Sequence, residues 1–324
     1  MSRLILWAAA LGIVVFGAAR IADAAEARSD ETAGPDNARG TFGFLLENDE
    51  VAGTDRHYTN GMEFTWLSAP MQSHSNWRYG LALGQQIYTP NDTDSPLPLP
   101  GERPYAGWLY AGFSLVMDRG DELDTWVLNL GVVGPSAQGE WLQREVHRRI
   151  GSHQSYGWDN QLADEIGGQL IYDHRWRALW QTKRGGLGAD VTPHVGLSLG
   201  NVATYANAGF TLRVGNDLRD DYGVPHIRPS LPGTGYFEPN DGFGWYLFAG
   251  VDGRAVARNI FLDGNTGRDS LSVDKAVFVA DLQAGVAVSF SRVRLAYTYV
   301  YRTREYRGQP APDRFGSVSI SALF

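Results

Sequence analysis

In the stretch RVRLAYTYVYR, residues 292–302, every second residue from Val293 to Tyr301 is apolar or aromatic. Arginine and threonine fall on one face, and the other face carries Val293, Leu295, Tyr297, Tyr299 and Tyr301. Successive side chains of a β-strand point to opposite sides. The stretch therefore predicts a strand with one apolar and one polar face. It is as long as the roughly 9 to 11 residues that a tilted membrane strand needs.

The same alternation recurs elsewhere in the chain. KAVFVADLQAGVAVSF, residues 275–290, and the C-terminal FGSVSISALF, residues 315–324, both alternate small or apolar residues with polar ones. The 10 Trp and 15 Tyr residues suit the aromatic girdles of a membrane barrel. We therefore predict an all-β protein, an antiparallel transmembrane β-barrel with lipid outside and a polar lumen inside.

The first 25 residues differ from the rest. Arg3 precedes the apolar run LILWAAALGIVVFGAA, and ADAA at 22–25 ends in small residues, as in a secretory signal peptide. A membrane-anchoring helix is the alternative, although the apolar run is short for one. We predict a signal peptide at 1–25, a flexible polar lead-in at 26–40 and the barrel at 41–324.

Composition excludes several classes of protein. No later stretch is apolar for long enough to form a membrane-spanning helix. The formal net charge of −8 argues against nucleic acid as a partner, and the absence of cysteine excludes disulfides and thiolate chemistry. We expect a monomeric protein of the bacterial outer membrane.

The alternation predicts twelve strands, and the even number places both chain ends in the periplasm. The predicted strands are 41–48, 58–69, 77–89, 105–118, 122–133, 166–180, 186–199, 203–216, 242–255, 274–290, 292–304 and 315–324. The outside connections are 49–57, 90–104, 134–165, 200–202, 256–273 and 305–314. Segment 217–241 falls on the periplasmic side, where connections are usually short.

One outside connection contains a predicted helix. In PSAQGEWLQREVHRRIG, residues 135–151, Trp141, Leu142, Val146 and Ile150 lie near helical spacing, and Gly151 can end the helix. Its apolar stripe must pack against another surface. We expect that surface to be the rim of the barrel.

The connection FLLENDEVAGTDRHYTNGMEFTW, residues 44–66, is rich in oxygen-bearing side chains. Among them are Glu47, Asn48, Asp49, Thr59 and Asn60. Calcium takes roughly six to eight oxygen ligands in flexible geometry. The spacing is not that of an EF-hand. The residue types therefore fit either a calcium site or a solvated polar loop.

Strand alternation bears on how this connection is arranged. If Phe44 and Leu46 face lipid, Asn48 also faces outward, whereas Glu47 and Asp49 face the lumen. A β-bulge could realign them. Alternatively, the site is a cleft on the outer rim beneath the loop helix, which a lipid could enter sideways from the outer leaflet. The sequence leaves both arrangements open.

His147 lies in the predicted helix beside Arg148 and Arg149. A lone histidine on a helix is more often a surface residue than a catalyst. The seven histidines form no zinc-binding pattern, and no G-x-S-x-G serine motif is present. If the protein hydrolyses a bond, a histidine-activated water with a metal-stabilised oxyanion fits these residue types best.

Four motifs together resemble a known family. ENDEVAGTDRHYTNG, QQIYTPND, ERPYAGWLYAG, and GVVGPSAQGEWLQREVHRRIG with GWDNQL are similar to segments of the outer-membrane lipid A 3'-O-deacylases. The similarity extends over most of the mature chain and is densest in 41–165. It implies a twelve-stranded barrel and calcium-dependent hydrolysis of the acyloxyacyl ester at the 3' position of lipid A in lipopolysaccharide. The implied mechanism resembles that of the secreted calcium phospholipases.

The resemblance also implies roles for individual residues. His147 matches the general base on the helix. Asp49 and Thr59 match residues that hold calcium or take part in the active site. Asn48 would help to hold the metal or the oxyanion.

This chain departs from the family pattern at two places. Some members carry a glutamate six residues after the helix histidine, where this chain has His153. Imidazole is a poor calcium ligand, so we expect the missing carboxylate to be Glu47, with Glu102 as the second candidate.

The second departure concerns lipid A phosphates. Some members carry a Lys-Arg pair in the second outside connection, which here contains Arg103 alone. Phosphate recognition is therefore expected from Arg56, Arg103, Arg148 or Arg149, unless the substrate differs.

Three alternatives stay open at this stage. An outer-membrane phospholipase would also be a calcium-using barrel, but it needs a nucleophilic serine for which no obvious candidate appears. A structural barrel or narrow channel would be crowded by inward charges such as Arg294, Arg302 and Asp281. An inactive family member is the third alternative, because of His153.

Overall fold

Thirteen strand segments form one closed antiparallel barrel in the computed structural model, which describes residues 40–49, 57–72, 74, 76–218, 221–230 and 233–324. The segments are β1 (Thr41–Asn48), β2 (His57–Leu67), β3 (Trp77–Thr89), β4 (Ala106–Asp118), β5 (Glu122–Val133), β6 (Glu165–Trp176), β7 (Trp180–Arg184), β8 (Leu187–Gly200), β9 (Ala203–Gly215), β10 (Asn240–Asn259), β11 (Phe278–Ser291), β12 (Val293–Arg302) and β13 (Asp313–Leu323). Segments that follow one another along the chain pair with each other, except β6 and β7, which both pair with β8. Strand β1 pairs with β13 and closes the barrel.

The predicted twelve-stranded barrel is confirmed. Segments β6 and β7 both pair with β8, over 194–200 and 187–191 respectively, so they are two parts of one strand of the barrel. The break between them contains Ala178, whose φ is 44°. Two helices, α1 (Gly139–Ile150) and α2 (Ile260–Asp263), lie in connections. None of the helices in the described residues is long and apolar enough to cross a membrane.

The predicted signal peptide (1–25) and all of the lead-in except Gly40 lie outside the described residues. The even number of strands places both ends of the barrel chain on one side. We call the opposite end the outer rim; it carries the end of β1, the start of β2 and the end of β3.

Side-chain alternation separates the two faces of the barrel as predicted. On β11 the outward Leu282 is 53% exposed, whereas the adjacent inward Asp281 is 0% exposed. Across the β11–β12 pair, Leu282 lies opposite Tyr301 and Asp281 lies opposite Arg302. The outward face is thus apolar, and the inward face carries charges that must find partners inside.

The segment between β9 and β10 corrects the sequence-based expectation. Segment 217–241 was expected to be a long periplasmic connection, but its described part folds into the lumen. Asp221 receives hydrogen bonds of 2.7 Å from both Arg213 and Arg294. Arg228 donates to Asp173 at 2.7 Å. The segment enters the barrel because its charges complete those on the inward faces of the strands.

Further charges in the lumen pair with one another. The guanidinium of Arg302 binds both carboxylate oxygens of Asp281 at 2.8 Å, and Arg254 donates to the same carboxylate at 3.2 Å. Arg302 also donates to the backbone carbonyl of Pro229 at 3.0 Å. The inward charges thus belong to a packed interior, as the crowding of the sequence pattern suggested.

The outer end of the lumen is filled by aromatic residues. The ring of Phe261 in α2 stacks on Tyr88, with centroids 4.1 Å apart, and approaches Trp108. These rings belong to a buried cluster that also includes Tyr58, Tyr110, Ile260 and Phe315. Helix α2 therefore packs onto the inner side of the wall, beneath the outer rim.

Replacing Asp281 by alanine should destabilise the barrel strongly. The change leaves two buried guanidinium groups without their shared carboxylate. We expect the free energy of unfolding to fall by about 3 to 5 kcal/mol, measured by urea unfolding in lipid vesicles. Glu122→Ala is the matched control, because its pairing with Arg119 is long (3.8 Å) and exposed. Equal losses for the two variants would contradict this account of the lumen.

Candidate active site at the outer rim

Helix α1 occupies the third outside connection, as predicted. A single 3₁₀ turn, Pro135–Ala137, leads into it, and Gly151 ends it in the left-handed conformation with a φ of 68°. The buried residues of α1 are Gly139, Gln143 and His147, which recur at four-residue spacing and form one stripe along the helix. His147 lies in the last turn of this stripe.

The stripe is pressed against the outer face of the barrel. A Cβ on Gly107 of β4 would come within 3.2 Å of the Gly139 Cα, so backbone meets backbone at this point. The Gln85 side chain, on the outward face of β3, donates to the carbonyl of Ala137 at 2.5 Å. The helix therefore lies outside the wall formed by β3 and β4.

A small apolar cluster holds the rest of the helix in place. Ile87, Tyr105 and Trp158 form it, and Leu142 of α1 packs against them. Trp158 also donates from its indole nitrogen to the Gln143 side chain at 2.7 Å. The face of α1 that carries His147 is thus fixed from below by the barrel and from one side by the segment that follows the helix.

One hydrogen bond determines which nitrogen of the neutral His147 ring carries the proton. Its Nδ1 contacts the backbone carbonyl oxygen of His153. A carbonyl can only accept, so Nδ1 carries the proton and Nε2 presents a lone pair. The backbone N–H of Ser152 donates to the carbonyl of His147 at 2.9 Å and tightens the turn between the two residues. His147 is 6% exposed.

Polar residues line the same outer face on the neighbouring strands. Asn48 continues the outward row of β1, and its amide nitrogen donates to the carbonyl of Thr59 at 3.0 Å. The Thr59 hydroxyl contacts the Thr89 hydroxyl at 2.7 Å, and Thr89 ends the outward row of β3. These three residues lie on adjacent strands at the outer rim, next to the strands on which α1 packs.

A β-bulge makes this arrangement possible. The pairing of β2 with β3 shifts between Tyr58 and Asn60, and Thr59 is the extra residue. Tyr58 points inward, with its hydroxyl 2.8 Å from a Glu47 oxygen, whereas Asn60 pairs with Ile87 on the outward side. The bulge thus places Thr59 and Asn60 together on the outer face, which strict alternation would forbid.

Asp49 follows the last residue of β1 and is 2% exposed. It lies beyond the strand, where alternation no longer fixes the direction of a side chain. Together with the Asn48 amide and the Thr59 hydroxyl, it offers oxygen donors of the kind that a hard cation such as Ca²⁺ prefers. Within the described residues, no three His, Cys, Asp or Glu side chains are grouped so that they could hold a metal ion.

The two other carboxylates considered from the sequence are held by other partners. Glu47 points into the lumen, where Tyr58 and the backbone N–H of Ile227 donate to it at 2.8 and 3.1 Å. It lies on the opposite face from Asn48, because the two are consecutive residues of one strand. Glu102 accepts from the Tyr306 hydroxyl at 2.9 Å.

Three of the four arginines considered for phosphate binding lie within the described residues. Arg56 lies outside the described residues. Arg103 is 1% exposed and inside the wall, 3.2 Å from Glu305 and stacked over the ring of Tyr88. Arg148 and Arg149 are exposed on α1 and share the carboxylate of Glu145. Their hydrogen bonds lower the pKa of Glu145 below its ordinary value.

Two features of the candidate site could not be predicted from the sequence. Thr89 gave no signal of its own, but it ends a strand whose outward row is otherwise apolar apart from Gln85. The partner of the His147 ring is a backbone carbonyl, which any residue at position 153 supplies. No residue type in the sequence could therefore have indicated it.

The chain is an outer-membrane β-barrel with a filled lumen, and its outer face carries polar residues at the rim and a docked helix that bears a histidine. A family model described as outer membrane protein LpxR matches residues 6–324, and the chain belongs to this family. The match confirms the family resemblance that the four sequence motifs indicated, together with the outer-membrane location.

The chain is similar to several solved structures, of which the first one below supports the fold. LpxR from Salmonella typhimurium superimposes with a TM-score of 0.76 at 22% sequence identity, over 88% of this chain and 100% of that one. The β-domain of the Bordetella autotransporter BrkA matches with a TM-score of 0.44 at 12% identity, over 88% and 97% of the two chains. No curated protein sequence matches this chain.

Replacing Gly107 by valine should detach α1 from the barrel, because the new side chain would overlap the backbone of the helix. Trypsin should then cleave at Arg144, Arg148 and Arg149 faster than in the unmodified protein, as read by mass spectrometry of the fragments. Gly168→Val is the control, since a Cβ there meets its nearest neighbour at 3.6 Å. Unchanged cleavage in the Gly107 variant would contradict the docking described here.

Proposed function

We propose that this protein is a lipid A 3'-O-deacylase, a carboxylic ester hydrolase that releases the 3'-linked acyloxyacyl group of lipopolysaccharide. Family membership supports this proposal, and one observation carries it. The Nδ1 of His147 is bound to the carbonyl of His153 on the outer face of the barrel, which leaves Nε2 as the atom that would act as a base on a lipid approaching sideways from the outer leaflet.

His147 is the proposed general base. Its Nε2 takes a proton from a water molecule while the water oxygen forms a bond to the ester carbonyl carbon. The bond between that carbon and the sugar oxygen then breaks, and the imidazolium returns the proton to the departing oxygen. The products are a free acyloxyacyl acid and a 3'-hydroxyl group on lipid A. The His153 carbonyl stabilises the protonated ring and fixes its orientation.

The proposed cofactor is Ca²⁺, which would supply positive charge for the developing oxyanion. Asn48, Asp49 and Thr59 are the residues that would hold it. These three residues are adjacent, buried oxygen donors, and one of them is a carboxylate. Glu47 does not belong to this proposed set, because it faces the lumen, and Glu102 does not, because it already accepts from the Tyr306 hydroxyl and the Asn91 N–H. His153 is not required as a metal ligand in this arrangement.

Arg148 and Arg149 are the proposed contacts to lipid A phosphates. Both side chains are largely exposed, 68% and 72%, and lie one and two residues from His147. Their pairing with Glu145 is a surface interaction of small energy. A phosphate can therefore replace it with charge-assisted hydrogen bonds at little cost. Arg56 belongs to the same proposed surface by sequence position, and Arg103 does not, because it is buried inside.

The direct test is mass spectrometry of lipid A after incubation with the purified protein in detergent. With Ca²⁺ present, we expect loss of one 3'-linked acyloxyacyl group, and we expect a chelator to prevent it. His147→Ala should lower the rate by about 10² to 10⁴-fold, the usual contribution of a general base. Arg144→Ala is the control on the same helix, since its described partner is only Glu140.

The same assay separates the proposed function from its nearest rival. Phosphatidylethanolamine is offered in a parallel reaction. Acyl release from the phospholipid but not from lipid A would assign the protein to the phospholipases. If the folded wild-type protein leaves both lipids intact with calcium present, the proposed hydrolysis of these lipids is wrong.

Replacing His153 by alanine should leave the hydrolysis rate close to that of the wild type. The side chain at this position contacts Asp94 at the surface, whereas the backbone carbonyl binds His147. The measurement is the initial rate of lipid A hydrolysis at several calcium concentrations, with Asp94→Ala as the companion variant. A loss as large as that of His147→Ala would mean that the His153 side chain itself takes part.

A further inference from the structure

A second histidine, His57, lies fully buried at the outer rim, at the first position of β2. It is 0% exposed, and both of its ring nitrogens are engaged. Nδ1 is 2.5 Å from an oxygen of Asp313, and Nε2 is 3.1 Å from the hydroxyl of Tyr306. The Tyr306 ring meets the imidazole edge to face, with centroids 5.7 Å apart. The ring is therefore held in one orientation.

This histidine joins three outside connections that are far apart in sequence. His57 begins β2 after the first connection, Tyr306 belongs to the last connection, and Asp313 begins β13 directly after it. The hydroxyl of Tyr306 also donates to Glu102 at 2.9 Å. Glu102 in turn accepts from the backbone N–H of Asn91, at the start of the second connection, at 3.1 Å. We call these four residues, His57, Asp313, Tyr306 and Glu102, the rim network.

The backbone at His57 is strained and leads directly into the bulge. Its φ is 67°, in the left-handed region that non-glycine residues rarely occupy. Such strain persists where surrounding contacts enforce it, and it concentrates at functional sites. Two residues further on, Thr59 is the bulged residue that reaches the outer face. The contacts of the His57 ring thus enforce the backbone course that places Thr59.

We propose that His57 is a positioning residue for the hydrolytic site, acting through the bulge on Thr59 and its neighbour Asn48. This inference rests on the proposed function for its catalytic consequence. His57 does not touch the substrate in this proposal, because it is 0% exposed and both ring nitrogens are bound, by Asp313 and by Tyr306. Its ring instead fixes the segment 57–60, so that the Thr59 carbonyl meets the Asn48 amide and the Thr59 hydroxyl meets Thr89.

The barrel contains a matched pair that lacks this connection. His194 on β8 is 2% exposed, and its Nε2 is 2.9 Å from an oxygen of Asp252 on β10. Both residues lie within strands at regular pairing positions. If both histidines were only structural, replacing either one would change the hydrolysis rate equally. If His57 positions the site, only its replacement should lower the rate.

The test compares His57→Asn with His194→Asn in the full-length protein in detergent. Asparagine tolerates the left-handed conformation, so the first variant removes the contacts of the ring without adding backbone strain. Two further variants, Asp313→Asn and Asp313→Leu, respectively keep and remove an acceptor oxygen for Nδ1. The readouts are kcat and KM for lipid A, hydrogen exchange of the amides at 57–61, and the gel mobility of the folded barrel.

We expect His57→Asn and Asp313→Leu to lower kcat by about tenfold to a hundredfold, with KM unchanged and the barrel folded. Exchange at 57–61 should rise in both variants. Asp313→Asn and His194→Asn should stay close to the wild type. Unchanged kcat and exchange in His57→Asn, or an equal loss of kcat in His194→Asn, would overturn the inference.

A failure of the proposed function can be told apart from a failure of this inference. If the wild type hydrolyses no lipid A, the proposed function has failed and hydrogen exchange alone decides. Faster exchange confined to 57–61 in His57→Asn, but not in His194→Asn, then supports the positioning of this segment by the rim network. Equal exchange in the two variants overturns it.

Discussion

Charges inside a membrane barrel have to be paired with one another, and this requirement decides where the site of the protein can lie. Asp281 is shared by Arg254 and Arg302, and Asp221 by Arg213 and Arg294. The segment between β9 and β10 folds inward to complete these pairs, and α2 fills the outer end with aromatic rings. The described interior is thus occupied by the protein itself. A lipid ester then has to be approached on the outer face.

The outer face of a membrane strand is normally apolar along its whole length. At the outer rim of β1 to β3 it becomes polar, with Asn48, Thr59 and Thr89 together. The bulge at Thr59 produces this change, and helix α1 covers the adjoining strands with His147 at its end. A bulge and a docked loop helix therefore add the candidate site to an otherwise regular barrel.

Much of this structure could be predicted from the sequence. The twelve strands follow from strict alternation over long runs, and the helix with His147 follows from apolar spacing and a C-terminal glycine. The inward course of the β9–β10 segment could not be predicted, because irregular chain carries no period. The sequence indicated it only through charged residues such as Asp221 and Arg228, which pair with charges on the strands.

The candidate site was predictable to a similar degree. Alternation already implied that Asn48 and Glu47 lie on opposite faces, and the structure places Glu47 inside. The bulge was one of two open arrangements, since bulges have no fixed sequence signature in such strands. The contact of the His147 ring with the carbonyl of residue 153 belongs to the backbone. For that reason the substitution of glutamate by His153 in the family pattern does not remove the group that orients the His147 ring.

The central claim is that the site lies on the outer face of the wall and not in the lumen. Anomalous diffraction from crystals of the protein grown with a calcium-like lanthanide ion tests it most directly. The account predicts an ion bound by Asp49 with Asn48 and Thr59, on the side of β1 and β2 that helix α1 flanks. An ion found instead in the lumen, against Glu47, would contradict it.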